Sequence, residues 1–243
     1  MVMDLLPEEK DGSVLFFENI LKHITSSVIF NVCGMKGLRY SFEESKLHLW
    51  GFRVDAVKDT ATAWDEGFVA QTLKEWELLS FAGNKQRYPS GSATADAFWR
   101  TIIRDTIRDY QNRENIRRAN PTDEQAYLRF RSWLFGESGP HKASEMASGA
   151  FINFRKSFFI ATQYQSFFTT KNGYIGLGES PQPNDEIWIL FGGRVPFILR
   201  SHPAESHQAG SYFLVGDCYV HGIMDGEAME GWRKTDMREV LLV

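Results

Sequence analysis

The chain has 243 residues, of which 43% are hydrophobic and 24% charged, and it carries a formal net charge of -4. That balance excludes a disordered chain, and it excludes a dedicated nucleic-acid binder, which carries a basic excess. Aromatic residues make up 14%, with 19 Phe and 7 Trp, enough ring surface to fill a large core or line an apolar pocket.

Met1 to Lys10 is acidic and lacks a basic segment backed by an apolar run, so no signal peptide is expected. From Ser13 to Thr25, Leu15, Phe16, Ile20 and Ile24 follow helical spacing. Between Leu47 and Lys58 the period changes to alternation, interrupted at Gly51, which predicts a strand with a kink or bulge, or a hairpin. Glu66 to Phe81 returns to helix through Phe68, Leu73, Trp76 and Leu79, and Lys85 to Thr94 reads as loop. Trp99, Ile103, Thr106, Ile107 and Tyr110 then predict one face of a long helix ending near Arg118. Arg100, Arg104 and Arg108 would stack on its solvated side among Asp105 and Asp109. Asn120-Pro121 breaks the pattern, and Thr122 with Gln125 has capping-box spacing for a helix buried through Tyr127, Phe130 and Leu134. Gly136 to His141 is a second loop, and Ser144 to Arg155 a short helix.

The last third predicts strands. Ser166 to Thr170 and Tyr174 to Leu177 flank Asn172-Gly173, a turn pair that tolerates positive φ. Glu186 to Phe191 and Val195 to Arg200 flank Gly192-Gly193, and Tyr212 to His221 is a fifth strand. The expected fold is α+β: a mainly helical part over residues 1–160, with the strand or hairpin at 47–58, packed on a curled antiparallel sheet or small β-barrel over 161–243. A single domain is expected.

The six histidines contain no His-x-x-x-His pair, and the cysteines, Cys33 and Cys218, form no metal spacing. Their scarcity fits a reducing compartment, so a cytoplasmic location is expected, with no metal and no cofactor. His202 and His207, with Glu205 between them, read as a solvated loop. No Gly-x-Ser-x-Gly elbow occurs, and the glycines at 173, 176 and 178 open no helix that would cradle a phosphate. No apolar run is long enough to span a bilayer. The fifth strand is the candidate site: Asp217, Tyr219 and His221 share one face by strand parity, placing an acid, a phenol and an imidazole together. Asp225 and Glu227 follow directly.

Three runs in this region carry a resemblance: Gly173-Tyr174-Ile175-Gly176-Leu177-Gly178, Val195 to Arg200, and LVGDCYVHGIMDGEA from Leu214 to Ala228. With Asn184-Asp185-Glu186, and fainter echoes at Leu47 to Val57 and Phe98 to Asp105, they resemble the C-terminal region of fungal heterokaryon-incompatibility (HET) proteins. In that family a separate N-terminal, TIR-like HET domain carries the cell-death signal, and the sequence before Leu47 is too short for one. The resemblance therefore implies a stand-alone form of the C-terminal region. By analogy with stand-alone fungal proteins of secondary metabolism, it suggests a cofactor-free cyclase or pericyclase, of Diels-Alderase type, acting on a hydrophobic polyene or terpenoid. Asp217, Tyr219 and His221 would be catalytic, and Trp99, Trp188, Phe197 and Arg200 would line the substrate pocket. The alternative is a non-enzymatic regulatory or partner-binding module. A deep apolar cavity would favour the first, an exposed apolar patch the second.

Overall fold

The computed structural model describes residues 19, 22, 29–34, 37, 39–43, 46–82, 87–112, 114–137, 146–204 and 210–243. Most of the helix expected at Ser13 to Thr25 and most of the Gly136 to His141 loop lie outside them, as do His207 and Glu205.

Strands β1 (Tyr40–Glu43) and β2 (Lys46–Ala63) come first, followed by helices α1 (Val69–Phe81) and α2 (Thr94–Thr101). A two-stranded ribbon, β3 (Thr106–Arg108) with β4 (Ile116–Arg118), precedes α3 (Glu124–Phe135) and α4 (Gly149–Thr162). The chain then forms β5 (Ser166–Thr170), β6 (Ile175–Gly178), β7 (Glu186–Leu190), β8 (Phe197–Ser201), β9 (Tyr212–Val220) and β10 (Arg238–Leu242). The fold is α+β, as the patterning predicts.

The sheet closes on itself. β2 pairs β5, β5 pairs β6, β6 pairs β9, β9 pairs β8, β8 pairs β7, and β7 returns to β2. β2 makes this closure possible because it is long. Its first residues pair β1 and β10, residues 51–56 pair β7, and residues 57–63 pair β5. Register shifts between Arg53 and Asp55 and between Val57 and Asp59 bend it from one partner to the next, as bulges do. Gly51 has a different role from the kink its position suggests. A Cβ there would lie 2.4 Å from the Ile189 carbonyl oxygen, so glycine is what lets β2 approach β7. Gly176 is needed in the same way, since a Cβ would meet Phe168 Cζ at 2.4 Å and the Tyr219 carbonyl at 2.5 Å.

Both predicted hairpins form, turning at Gly173 (φ 91°) and Gly192 (φ 89°). β10, absent from the sequence reading, pairs β2 antiparallel and touches β9 in parallel at Leu242 and Tyr212.

The long helix expected from Trp99 to Arg118 does not form. α2 stops at Thr101, Arg104 and Asp105 turn left-handed (φ 48° and 51°), and the chain enters the β3–β4 ribbon. The run Thr101-Ile102-Ile103 with Thr106-Ile107 is β-branched, which weakens helix and favours strand. Thr101 and Thr106 hydroxyls donate to the carbonyls of Ala97 and Ile103, a local competition that helps to end helices. The capping box also moves. Asn120 accepts from the Thr122 amide and the Asp123 carboxylate accepts from the Asn120 amide, so the cap lies two residues before Thr122 and the helical segment starts at Pro121. The helix expected at Ser144 to Arg155 is capped by Ser148 and continues to Thr162. Phe68, expected on a buried face, sits in a short 3-10 turn before α1 and is 61% exposed.

The helices pack on one side of the barrel through rings. Trp76 of α1 stacks on Phe167 of β5 at 5.7 Å, and Phe130 of α3 meets Phe158 of α4 at 4.8 Å. Ile175 and Leu177 of β6 join that cluster. A second cluster, with Leu49, Trp188, Phe197, Tyr219 and Val240, packs against other barrel strands. Each fully buried side chain of this size contributes about 1.5–3 kcal/mol, so ring burial in two separate cores accounts for much of the aromatic content.

Candidate functional site

The end of β9 brings two of the three predicted catalytic side chains together. Tyr219 is buried, and its Oη lies 2.9 Å from His221 Nδ1. Burial pushes the Tyr219 phenol well up, with Asp105 adding to the effect, and burial lowers the His221 imidazole below its usual value. The imidazole is therefore neutral near neutral pH, and it shares one hydrogen bond with the phenol through Nδ1, the donor being set by the tautomer. Neither group gains the ionised form that nucleophilic or strong-base chemistry would use.

Asp217 goes elsewhere. Its carboxylate faces Arg104 Nη1 at 3.9 Å and is about one-third exposed. Parity does put it on the side of the turn after α2, but its neighbour there is Arg104.

The surroundings of His221 are structural in kind. Tyr88 Oη accepts from the Ile175 amide at 2.9 Å and donates to the His221 carbonyl at 2.8 Å. One hydroxyl thus satisfies two backbone groups, one on β6 and one at the exit of β9. An ionic chain centred on the buried Asp105 lies close by, running outward to the exposed Asp225. The Asp105 carboxylate accepts from Arg100 Nη1 at 2.8 Å and from Arg118 Nε at 2.7 Å, while Arg118 also donates to Asp225 at 2.7 Å. Arg100 further pairs Asp96 and donates to the Ala119 carbonyl. The stacked arginine face expected on one helix is replaced by this chain, because Arg104 sits in the turn and Arg108 in β3.

The four residues expected to line a pocket lie in different places. Trp99 is buried in the helical core, with the Arg100 guanidinium 4.5 Å above its ring. Phe197 is fully buried in the second cluster. Arg200 forms a two-pronged pair with Asp185, at 2.8 Å on each arm, and donates to the Ser180 carbonyl. Trp188 donates to Glu186 at 2.8 Å and packs edge-on against Tyr212. Of these, Trp188 lines a cleft of the described surface, shared with Tyr212, Arg238 and Glu239.

Two of the clefts are neighbours with Arg53 and Asp236 in common. One, of about 280 Å³, has Phe52, Val54, Ile223 and Trp232 among its apolar walls and Tyr174, Glu227 and Asp236 among its polar ones. The other, of about 520 Å³, lies past Trp188 and Tyr212 toward Arg238 and Glu239. Asn172, Tyr174, Gly222, Ile223, Glu227 and Ala228 therefore bring the first hairpin and the end of the last motif run to one cavity. The β9 motif alone does not reveal this cleft, because its facing wall at Phe52 and Val54 comes from β2, far earlier in the chain. Glu227 was visible only as a follower of the β9 motif.

Among the described residues no group of three or more His, Cys, Asp or Glu is placed to hold a metal ion, and no helix is long and apolar enough to cross a membrane. Cys33 and Cys218 are both buried and unbridged.

Comparison with known proteins agrees with the architecture. Residues 140–241 match the Het-6 beta-barrel domain. Over 215 residues the chain is 21% identical to heterokaryon incompatibility protein 6, OR allele, of Neurospora crassa. The match covers 80% of this chain and 31% of that protein, so the chain spans about a third of its relative's length. No solved structure matches. The barrel strands, the motif runs on them and this relative agree: the chain resembles the C-terminal region of heterokaryon-incompatibility (HET) proteins, and its residues 140–241 match the Het-6 beta-barrel domain.

Proposed function

We propose that this chain acts as a protein-recognition module of the incompatibility type, binding a partner through the paired clefts on the barrel. The observation that carries this reading is where the motif residues go. The hairpin at Asn172 to Tyr174 and the segment Gly222 to Ala228 line a surface cleft, while Tyr219, His221 and Tyr88 bond to one another and to backbone. A cofactor-free cyclase needs its rings gathered around one apolar cavity. Trp99 and Phe197 are instead buried in different cores, which favours the recognition reading. The cytosol suits the two unbridged cysteines.

The test has two arms on the purified protein. Incubation with a metabolite extract of the source organism is expected to leave every metabolite unchanged. Affinity capture from the same cells is expected to retain a protein that the Glu227→Lys/Asp236→Lys double variant does not hold. A metabolite isomerised by the parent protein but not by Tyr219→Phe would overturn this reading in favour of the cyclase.

A further inference from the structure

The chemistry of the paired clefts indicates what kind of partner they fit. Resting on the recognition reading above, we infer that they bind a basic polypeptide segment, with an arginine side chain entering the smaller cleft between Tyr174 and Trp232 and reaching the carboxylates of Glu227 and Asp236.

Charge is the first support. The carboxylates lining the two clefts are Glu186, Glu227, Asp236 and Glu239, against the two cations Arg53 and Arg238. Both cations are already engaged: Arg53 donates to Glu186 at 2.8 Å, and Arg238 donates to the carbonyls of Thr235 and Met237. Glu186 is used on both oxygens, by Arg53 and by Trp188, but the other three carboxylates are only half used. Glu227 accepts from the Asp225 amide through Oε2, Asp236 accepts from the Arg233 amide through Oδ2, and Glu239 meets His48 through Oε1. In each case the second oxygen has no partner among the described residues. The Tyr174 phenol registers the same field, being raised by its partial burial and then by Asp55 and Glu227.

Shape and surface are the second support. The smaller cleft, at about 280 Å³, is the size of one long side chain rather than of a drug-sized ligand. Its walls include a phenol and an indole. A guanidinium stacks on such rings and pairs with carboxylates through a planar fork of donors, which is why arginine is favoured over lysine here. The larger cleft, past Arg53 and Asp236, gives an extended backbone somewhere to continue.

The experiment is a selection of a random heptapeptide library on the purified full chain, alongside the Glu227→Lys/Asp236→Lys variant. Circular dichroism and melting first establish that the variant folds; both side chains are exposed, so it should. Arginine-bearing peptides are expected to enrich on the parent. Their affinity should fall at least about tenfold on the variant and weaken as salt is raised. Should the variant fail to fold, Tyr174→Phe/Trp232→Leu replaces it, with the same loss expected. Basic peptides that enrich equally on parent and variant, or no enrichment of basic peptides at all, would overturn the inference. Peptides of another composition that bind in a groove-dependent way would overturn the basic partner while leaving partner recognition standing. A converted metabolite with no groove-dependent peptide would sink both.

Discussion

Asp105 holds the turn after α2 in place, and replacing it with asparagine tests how much the ionic chain contributes. Asp105 has a left-handed backbone (φ 51°), and asparagine tolerates that region better than most residues, so Asp105→Asn isolates the loss of charge from backbone strain. The carboxylate is buried, with 6% of its side chain exposed, and serves Arg100 and Arg118 at once. Removing one partner of a buried pair costs about 3–5 kcal/mol. Arg100 is 14% exposed but Arg118 is 37% exposed, so water and Asp225 can recover part of the second interaction. We therefore expect a loss of about 2–4 kcal/mol. A middle value of about 3 kcal/mol lowers Tm by roughly 6–12 °C for a protein of this size. Differential scanning calorimetry at neutral pH and low salt, with urea titration for the free energy, measures it. A Tm within 2 °C of the parent, with the far-ultraviolet spectrum unchanged, would refute the premise that this chain is shielded from solvent.

Further expectations follow from the same geometry. Tyr88→Phe leaves the Ile175 amide and the His221 carbonyl without their shared hydroxyl, so a loss of about 2–4 kcal/mol is expected in urea titration. Tyr219→Phe removes a single bond to an imidazole that can change tautomer, and should cost only about 1 kcal/mol while leaving peptide binding intact. His221 has a folded pKa below its ordinary 6.5, so the unfolded chain takes up the proton first on acidification. Its contribution is complete above about pH 6.5 and is lost as pH falls from there toward the lowered folded value. His221→Gln should flatten the drop in Tm between pH 7.5 and 5 relative to the parent, and an unchanged slope would show that the imidazole is not buried neutral. Gly51→Ala would force a methyl group into the Ile189 carbonyl and should cost about 3 kcal/mol, read as a fall in soluble yield and Tm.

The sequence was most legible where short-range chemistry decides the outcome. Asn172-Gly173 and Gly192-Gly193 mark hairpins because the backbone at Gly173 and Gly192 needs positive φ, and short apolar runs beside those turns mark β7 and β8, whose consecutive residues are buried. It was least legible where distant partners decide. Trp99 to Tyr110 has helical spacing, yet its β-branched residues and the capture of Asp105 by Arg118 turn the chain into a ribbon. β10 went unseen because only its pairing with β2, almost two hundred residues earlier, makes those five residues a strand. For the site, parity placed Tyr219 beside His221 but did not show that Tyr88 and the α2 turn would enclose them. The cleft that Glu227 lines was hidden because Phe52 and Val54 complete it from β2, far earlier in the chain.

The closure of the barrel through β2 has a consequence for how the protein is made. β2 leaves the ribosome early, but its partners β5 and β7 begin at residues 166 and 186, so its edges wait through the synthesis of α1 to α4. Unpaired strand edges are the surfaces on which chains aggregate, and contacts this distant in sequence slow folding. A fragment cut to residues 140–241 lacks β2 altogether. It would carry the motif runs that match the Het-6 beta-barrel domain, but with β5 and β7 left as raw edges and Phe167 stripped of Trp76. Expressed alone, that fragment should collect in inclusion bodies. A separately supplied peptide spanning residues 46–63 would be the missing stave.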